Sequence, residues 1–316
     1  MGRFGPLSAP SVRRRHPVDN PLYDYSPIVE RAPVSWPNGA RLALYVGLNV
    51  EHYEIDKPST SVVPTTAMLN PDPLNYGWRD YGPRVGIWRL MDLLDSFGLR
   101  ASVLLNSDVC DRYPRIIEEG NKRNWTWLAH GNNNSTLPAA LPPEVEREML
   151  GEMVDTITRT TGRAPKGWMG PALNSSYQTL DILAGMGLTY SLDFCADDQP
   201  FPMHVKAGRM ITVPYSIEVN DITLFVGHSC TGPEFEQLVV DQFEQLYAES
   251  GESGRVMAIA IHPFVIGQPF RAKYLARALE RVLGAHEDIW LPTTDEIADF
   301  YYEHYYEATP DGAPST

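Results

Sequence analysis

Leu42-Ala43-Leu44-Tyr45-Val46-Gly47-Leu48-Asn49-Val50-Glu51-His52-Tyr53 is the stretch on which the fold turns. It begins as a mostly apolar run, the pattern of a strand covered on both faces. It then passes without a turn onto Glu51 and His52. A carboxylate and an imidazole at the tip of a buried strand stand where α/β enzymes keep their chemistry, because the strand fixes the backbone while its tip faces a cleft.

Downstream the same arrangement recurs. Apolar runs at Ala101–Leu105, Trp125–Ala129, Lys166–Met169, Tyr190–Leu192, Met210–Tyr215, Thr223–Val226, Val256–Ile261 and Ile289–Leu291 read as strands. Amphipathic stretches alternate with them: a face through Val85, Trp88, Met91 and Leu94 that ends at Gly98, then Tyr113–Glu119, Pro142–Thr161, Thr179–Met186, Phe235–Tyr247, Ala272–Val282 and Thr294–Tyr305. Repeated strand–helix alternation implies an α/β protein with a mainly parallel sheet. At this length its natural form is a single (β/α) barrel, closed or nearly so. The expected division is an irregular Pro- and Arg-rich arm over 1–38, one barrel over 39–307 and a frayed tail over 308–316. In the arm, Tyr23, Tyr25 and Trp36 are expected to pack on the barrel or on a neighbouring subunit. Glu54–Pro83, with five prolines and no periodicity, reads as a lid or interface loop, anchored by Tyr76, Trp78 and Tyr81.

Bulk properties narrow the partners. A net charge of −14 argues against nucleic acid and anionic membranes, which call for clustered Lys and Arg. The three cysteines show neither metal nor redox spacing, as in a reducing compartment. No apolar stretch reaches the ~20 residues that span a bilayer. Arg13-Arg14-Arg15 is not followed by the apolar core of a secretion signal, so the expected location is cytoplasmic. The aromatic arm and the long loop suggest a homo-oligomer acting on a small molecule.

Glu51 and His52, His130, Asp193 and His262 each follow an apolar strand directly, and in a parallel barrel those ends converge on one face. With Trp36–Arg41, Gly47–His52, Ala129-His130-Gly131, Gly170-Pro171, Asp197-Asp198-Gln199-Pro200, Ile261-His262-Pro263 and Ile266–Arg271, the chain resembles the polysaccharide deacetylase superfamily, and within it the allantoinase-like and cyclic-imide hydrolase branch. The resemblance runs from about Arg31 to Tyr305. It implies a distorted barrel of parallel strands and helices, and hydrolysis of an amide C–N bond, commonly at a divalent metal.

Carried onto this sequence, the family's aspartate pair becomes Glu51 as general base and His52 as metal ligand. His130 matches the first metal histidine, and Asn134 stands where the second is expected. Nitrogen ligands at His52 and His130 would make the metal zinc-like. Met169 replaces the arginine two residues before Pro171. His262 resembles the general acid, with Asp193 able to hold its tautomer. Losing the arginine and one histidine is compatible with opening a small cyclic imide or ureide. Trp168, Pro171, Phe194 and Phe264, with Phe201, are the expected contacts for such a ring. Removal of an acyl group from an amine or amino sugar, hydrolysis without metal, and a catalytically inactive binding barrel remain as alternatives.

Overall fold

The computed structural model describes residues 20–306. The first half of the expected arm, with the Arg13-Arg14-Arg15 run, and the 308–316 tail lie outside them. The fold is a curled, mainly parallel sheet flanked by helices, as the alternation implies. Its first strand, β1 (Leu42–Val50), is buried along its whole length. Alternate residues of a strand face opposite sides. Leu42, Leu44, Val46, Leu48 and Val50 therefore join the outer apolar layer under the helices. Ala43 and Tyr45 join an inner cluster with Tyr190, Val213, Tyr215 and Ala258, which fills the barrel with side chains.

Eight further strands complete the sheet: β2 (Ala101–Leu105), β3 (Thr126–Ala129), β4 (Gly167–Trp168), β5 (Tyr190–Ser191), β6 (Phe201–Met203), β7 (Met210–Thr212), β8 (Arg255–Ile261) and β9 (Ile289–Trp290). Their order is β6-β7-β5-β4-β3-β2-β1-β8, with β9 pairing the start of β1. Only β6 and β7 are antiparallel. Edge position explains how β6 tolerates Pro202, which has no N–H to give. The sheet does not close. Between β7 and β8 the described chain forms only an isolated bridge, Asn220 to Ala260.

Other segments cover that seam. Val256 donates its N–H to the Asp198 carbonyl, 2.8 Å. Gln199 reaches the Gly254 carbonyl at 2.7 Å, and Arg31 from the arm pairs with Asp197. Trp36 is buried and its indole donates to the Arg255 carbonyl at 2.9 Å. Tyr23 packs against Phe194 and Phe201, while Tyr25 stays exposed.

Register carries the fold into the site. Val50 lies opposite Leu105, Leu105 opposite Ala129, Ala129 opposite Trp168, and Trp168 opposite Ser191. Leu48 pairs with Ile261 on the other side of β1. The residues that follow, Glu51, Asn106, His130, Met169, Leu192 and His262, thus emerge on one rim.

Three local expectations give way. Glu54–Pro83 is not all loop, for Asp72 caps a helix, α1 (Pro73–Tyr81), through the Asn75 N–H at 3.3 Å. Proline suits the first helical position and Asp the cap; Gly77 and Pro83 had hidden the pattern. Because Pro83 has no N–H, the chain crosses a wide π-type turn, Gly82–Gly86, into α2 (Ile87–Ser96). Thr223–Val226 is likewise no strand. It lies in a wide helical turn, Ile222–Gly227, with Thr223 accepting from the His228 N–H. Finally, the strand expected over Met210–Tyr215 stops at Thr212, two residues before Pro214.

Two glycines clamp the segment after His262. A Cβ on Gly86 would lie 2.0 Å from the Pro263 carbonyl oxygen, and one on Gly267 only 2.1 Å from it. Backbone cannot yield as a flexible side chain does. Gly86→Ala is therefore expected to destabilise the fold by about 1–3 kcal/mol, read as a lower urea midpoint; an unchanged midpoint would refute the clamp.

Candidate active site

Glu51 is the centre of the rim. Its Oε1 accepts from Asn134 Nδ2 at 2.5 Å, and its Oε2 from the Tyr53 hydroxyl at 2.5 Å. His130 Nε2 stands 3.3 Å from Oε1, and His262 Nε2 stands 3.8 Å from the same oxygen. Glu51, His130, Asn134 and His262, far apart in the chain, therefore meet at one carboxylate.

Asn134 points at Glu51 through a fixed sequence of donors and acceptors. The His52 backbone N–H must donate, so its partner on Asn106 is the oxygen Oδ1, at 2.9 Å. Asn106 Nδ2 then faces the His130 carbonyl and Asn134 Oδ1, the latter at 3.0 Å. Asn134 must turn its remaining group, the NH₂, to Glu51.

This order bears on a metal. The atom of Asn134 able to ligate a cation is engaged by Asn106, and a donor points where the ion would sit. His52 does not join the group either. Successive side chains at a strand tip diverge, and its Nδ1 lies 3.2 Å from the Tyr113 hydroxyl. Burial lowers its pKa first, and the charges that next act on it are Arg112, Asp108, Glu54 and Asp80 at the rim. Among the described residues no group of three or more His, Cys, Asp or Glu is placed to hold a metal. The set His52, His130 and Asn134 does not fit one.

Asp193 is also redirected. Its Oδ1 accepts from the Gly170 N–H at 2.7 Å, and its Oδ2 from Trp168 Nε1 at 2.9 Å and from the Ser175 hydroxyl. It thereby braces a turn in which Ala172 and Leu173 are left-handed, φ 57° and 51°. Burial raises its pKa.

The partner of His262 is Asp221. Its Oδ1 lies 2.7 Å from His262 Nδ1, while its Oδ2 takes the backbone N–H groups of His262 and Ile266 at 2.8 and 3.0 Å. Asp221 is fully buried. A carboxylate can only accept here, so His262 carries a proton on Nδ1 and turns Nε2 to Glu51. Burial works against charge on His262, but the carboxylates of Asp221 and Glu51 outweigh it and raise the imidazole pKa. Burial pushes Glu51 the other way; His262 and His130, with the hydrogen bond from Tyr53, leave its pKa lowered. The site thus favours the ionised form of the acid and the protonated form of the imidazole that faces it. His130 Nδ1 lies 2.6 Å from the Met169 carbonyl, which holds that ring with Nε2 toward Glu51.

Of the expected substrate contacts, Phe264 stands at the site. It meets His262, Tyr53 and Trp78 edge to face, centroids 5.6, 5.8 and 4.9 Å apart. Trp168 is buried in the outer layer. Pro171 is packed against Gly131, where an added Cβ would meet it at 2.8 Å, and Phe194 turns to Tyr23. Sequence reading missed Tyr53, Asn106 and Asp221. Tyr53 lay two residues from the base. Asn106 closed a strand, as His130 does, but is uncharged. Asp221 preceded an apolar run instead of following one.

A family model described as polysaccharide deacetylase matches residues 78–191. The peptidoglycan deacetylase of Helicobacter pylori is 24% identical over 267 residues, 73% of this chain and 87% of that protein. The crystal structure of PuuE allantoinase superposes with a TM-score of 0.79 at 23% identity, covering 90% of this chain and 99% of its own. That of a probable polysaccharide deacetylase from Pseudomonas aeruginosa PAO1 gives 0.79 at 22%, covering 88% and 97%. At such identities the two structures speak for the fold.

In Asp221→Asn the charge that most raises the His262 pKa is gone. The ring, followed by NMR, should titrate about 1–3 units lower. An unmoved midpoint would show that Asp221 does not hold the proton on His262.

Proposed function

We propose that this chain, a member of the polysaccharide deacetylase superfamily and a hydrolase of amide C–N bonds, acts on a small cyclic imide or ureide, opened by water. The observation that carries the reading is the approach of His262 Nε2 to Glu51 Oε1, 3.8 Å, at a site that lowers the Glu51 pKa and raises that of His262. A general base and a general acid poised on one carboxylate oxygen suit addition of water and departure of nitrogen. Glu51 takes a proton from water as its oxygen bonds to the carbonyl carbon. When the C–N bond breaks, His262 gives the Nε2 proton to the leaving nitrogen. Asp221 keeps the Nδ1 proton in place, so the neutral ring remains oriented. The products are a carboxylic acid and an amide or ureide on one chain.

Size and polarity support a ring. Phe264, Tyr53 and Trp78 form an apolar wall beside the two catalytic groups, and Phe264 and Tyr53 are buried. A compact, partly apolar ring fits that wall better than a hydrated glycan. The likeness to peptidoglycan deacetylase favours the second reading, removal of an acyl group from an amino sugar. A panel of cyclic imides and ureides against linear N-acetyl amines, read by loss of starting material, separates them; turnover of the linear compounds alone would overturn the first.

Glu51→Gln and His262→Ala should each lower kcat by about 10²–10⁴-fold while melting near the wild-type temperature. Near-normal turnover in both would end the proposal.

Since His52 turns to Tyr113 and Asn134 presents its NH₂ instead of its oxygen, no step is routed through a metal. Dialysis against a chelator is expected to leave the rate unchanged, with elemental analysis showing no stoichiometric ion. Loss of activity that zinc restores would overturn this part.

A further inference from the structure

Arg79 is a buried guanidinium, 4% exposed, on the helix that covers the site. Its hydrogen bond among the described residues is a single one, from Nη1 to the Thr60 carbonyl at 2.5 Å. Its Nε has no partner, and no described carboxylate lies within ion-pair distance of it. Arg41, Arg255 and Arg271 also have a buried, unpaired Nε, but as whole residues they are partly exposed, whereas Arg79 is buried throughout. Burying a cation without its counter-charge is costly. The Tyr53 ring, 4.8 Å from the guanidinium carbon, offsets part of that.

The position is what matters. Tyr53 carries the guanidinium on its face and donates its hydroxyl to Glu51. One phenol ring therefore separates an unpaired cation from the catalytic base. Burial lowers the Arg79 pKa first, while Tyr53, Asp72, Tyr76 and Glu51 act to raise it. A planar fork of donors suits a carboxylate.

We propose that Arg79 is a specificity residue that receives a carboxylate on the substrate, about a ring's width from the carbonyl that is attacked. The substrate class is then a cyclic imide or ureide bearing an acidic substituent, or an acylated amine bearing one. This rests on the hydrolytic reading for the reaction, but not for the binding. Neutral rings lack the counter-charge, and the guanidinium stays unpaired when they bind.

Binding is measured without turnover, in Glu51→Gln protein, by quenching of tryptophan fluorescence. The probes are glutarimide and hydantoin against the same rings carrying a carboxymethyl group. The acidic rings should bind at least tenfold tighter than the neutral ones. Arg79→Met should erase that preference and leave neutral-ring affinity within about twofold, while Arg79→Lys should keep part of it. In otherwise wild-type protein the same substitutions should raise KM for acidic rings and leave kcat within a few-fold. Equal affinity for neutral and acidic rings, which needs no substitution at Arg79, overturns the proposal. So does an acidic preference that survives in Arg79→Met with a normal melting temperature. Tight acidic binding with no hydrolysis of any ring or linear amide by wild type would sink the hydrolytic reading and leave this one standing.

Discussion

A carboxylate is held ionised at the mouth of an apolar barrel, and much of the surrounding structure answers to that. Removing a charge from water is costly unless dipoles and counter-charges replace the water. Around Glu51 they come from four directions: an amide from the loop after β3, a hydroxyl two residues on, and imidazoles from the ends of β3 and β8. Each of these groups is itself held. Asn134 is oriented by Asn106, Tyr53 is faced by Arg79, His130 is fixed by the Met169 carbonyl, and His262 by Asp221. A base prepared in this way needs little rearrangement at the moment of reaction, the condition under which oriented polar groups are most effective.

The sheet brings these pieces together because it is parallel and in register at its tips. β1 is flanked by β2 and β8, so the base and the acid leave neighbouring strands on the same rim. The incomplete closure between β7 and β8 has a use as well. There the chain is free of ladder pairing and winds into the wide turn that begins at Asp221, whose two oxygens hold the acid by its ring and by its backbone. A strand in that position would have placed Asp221 in a ladder, with its side chain on whichever face the pleat dictated. The arm and the Asp197–Gln199 loop then cover the seam from outside.

The segment after the base forms a cover of its own. α1 lies across the aromatic wall through Trp78 and contributes Arg79, while Asn75 binds both the N–H and the carbonyl of Val63, which folds the preceding residues back onto the helix. Continuity of α1 with α2 through the Gly82–Gly86 turn ties this cover to the barrel, and the close approach of Gly86 to Pro263 ties it to the acid-bearing loop. Base, cover and acid are thus parts of one packed unit.

Much of this was legible from residues alone. Strand periodicity and the apolar runs located the barrel, and the rule that parallel strands end on one face located Glu51, His130 and His262 at a common rim, because both depend on local patterns repeated along the chain. Directions were not legible. Glu51 and His52 are neighbours in sequence and diverge in space; Asp193 and Asp221 are both buried acids, and only the path of the backbone decides which meets His262. Asn134 reads as a weak ligand until Asn106 fixes which end of its amide faces the base. Arg79 reads as one more helical arginine until its burial and its missing counter-charge are seen. The sequence by itself determined most of the strands, though neither β6 nor the turn at Ile222–Gly227, and what chemistry stands at their ends, since those follow from spacing and residue type. Only the tertiary structure decided which polar group answers which, since hydrogen bonds are directional and their partners come from segments as much as 83 residues apart around Glu51 itself.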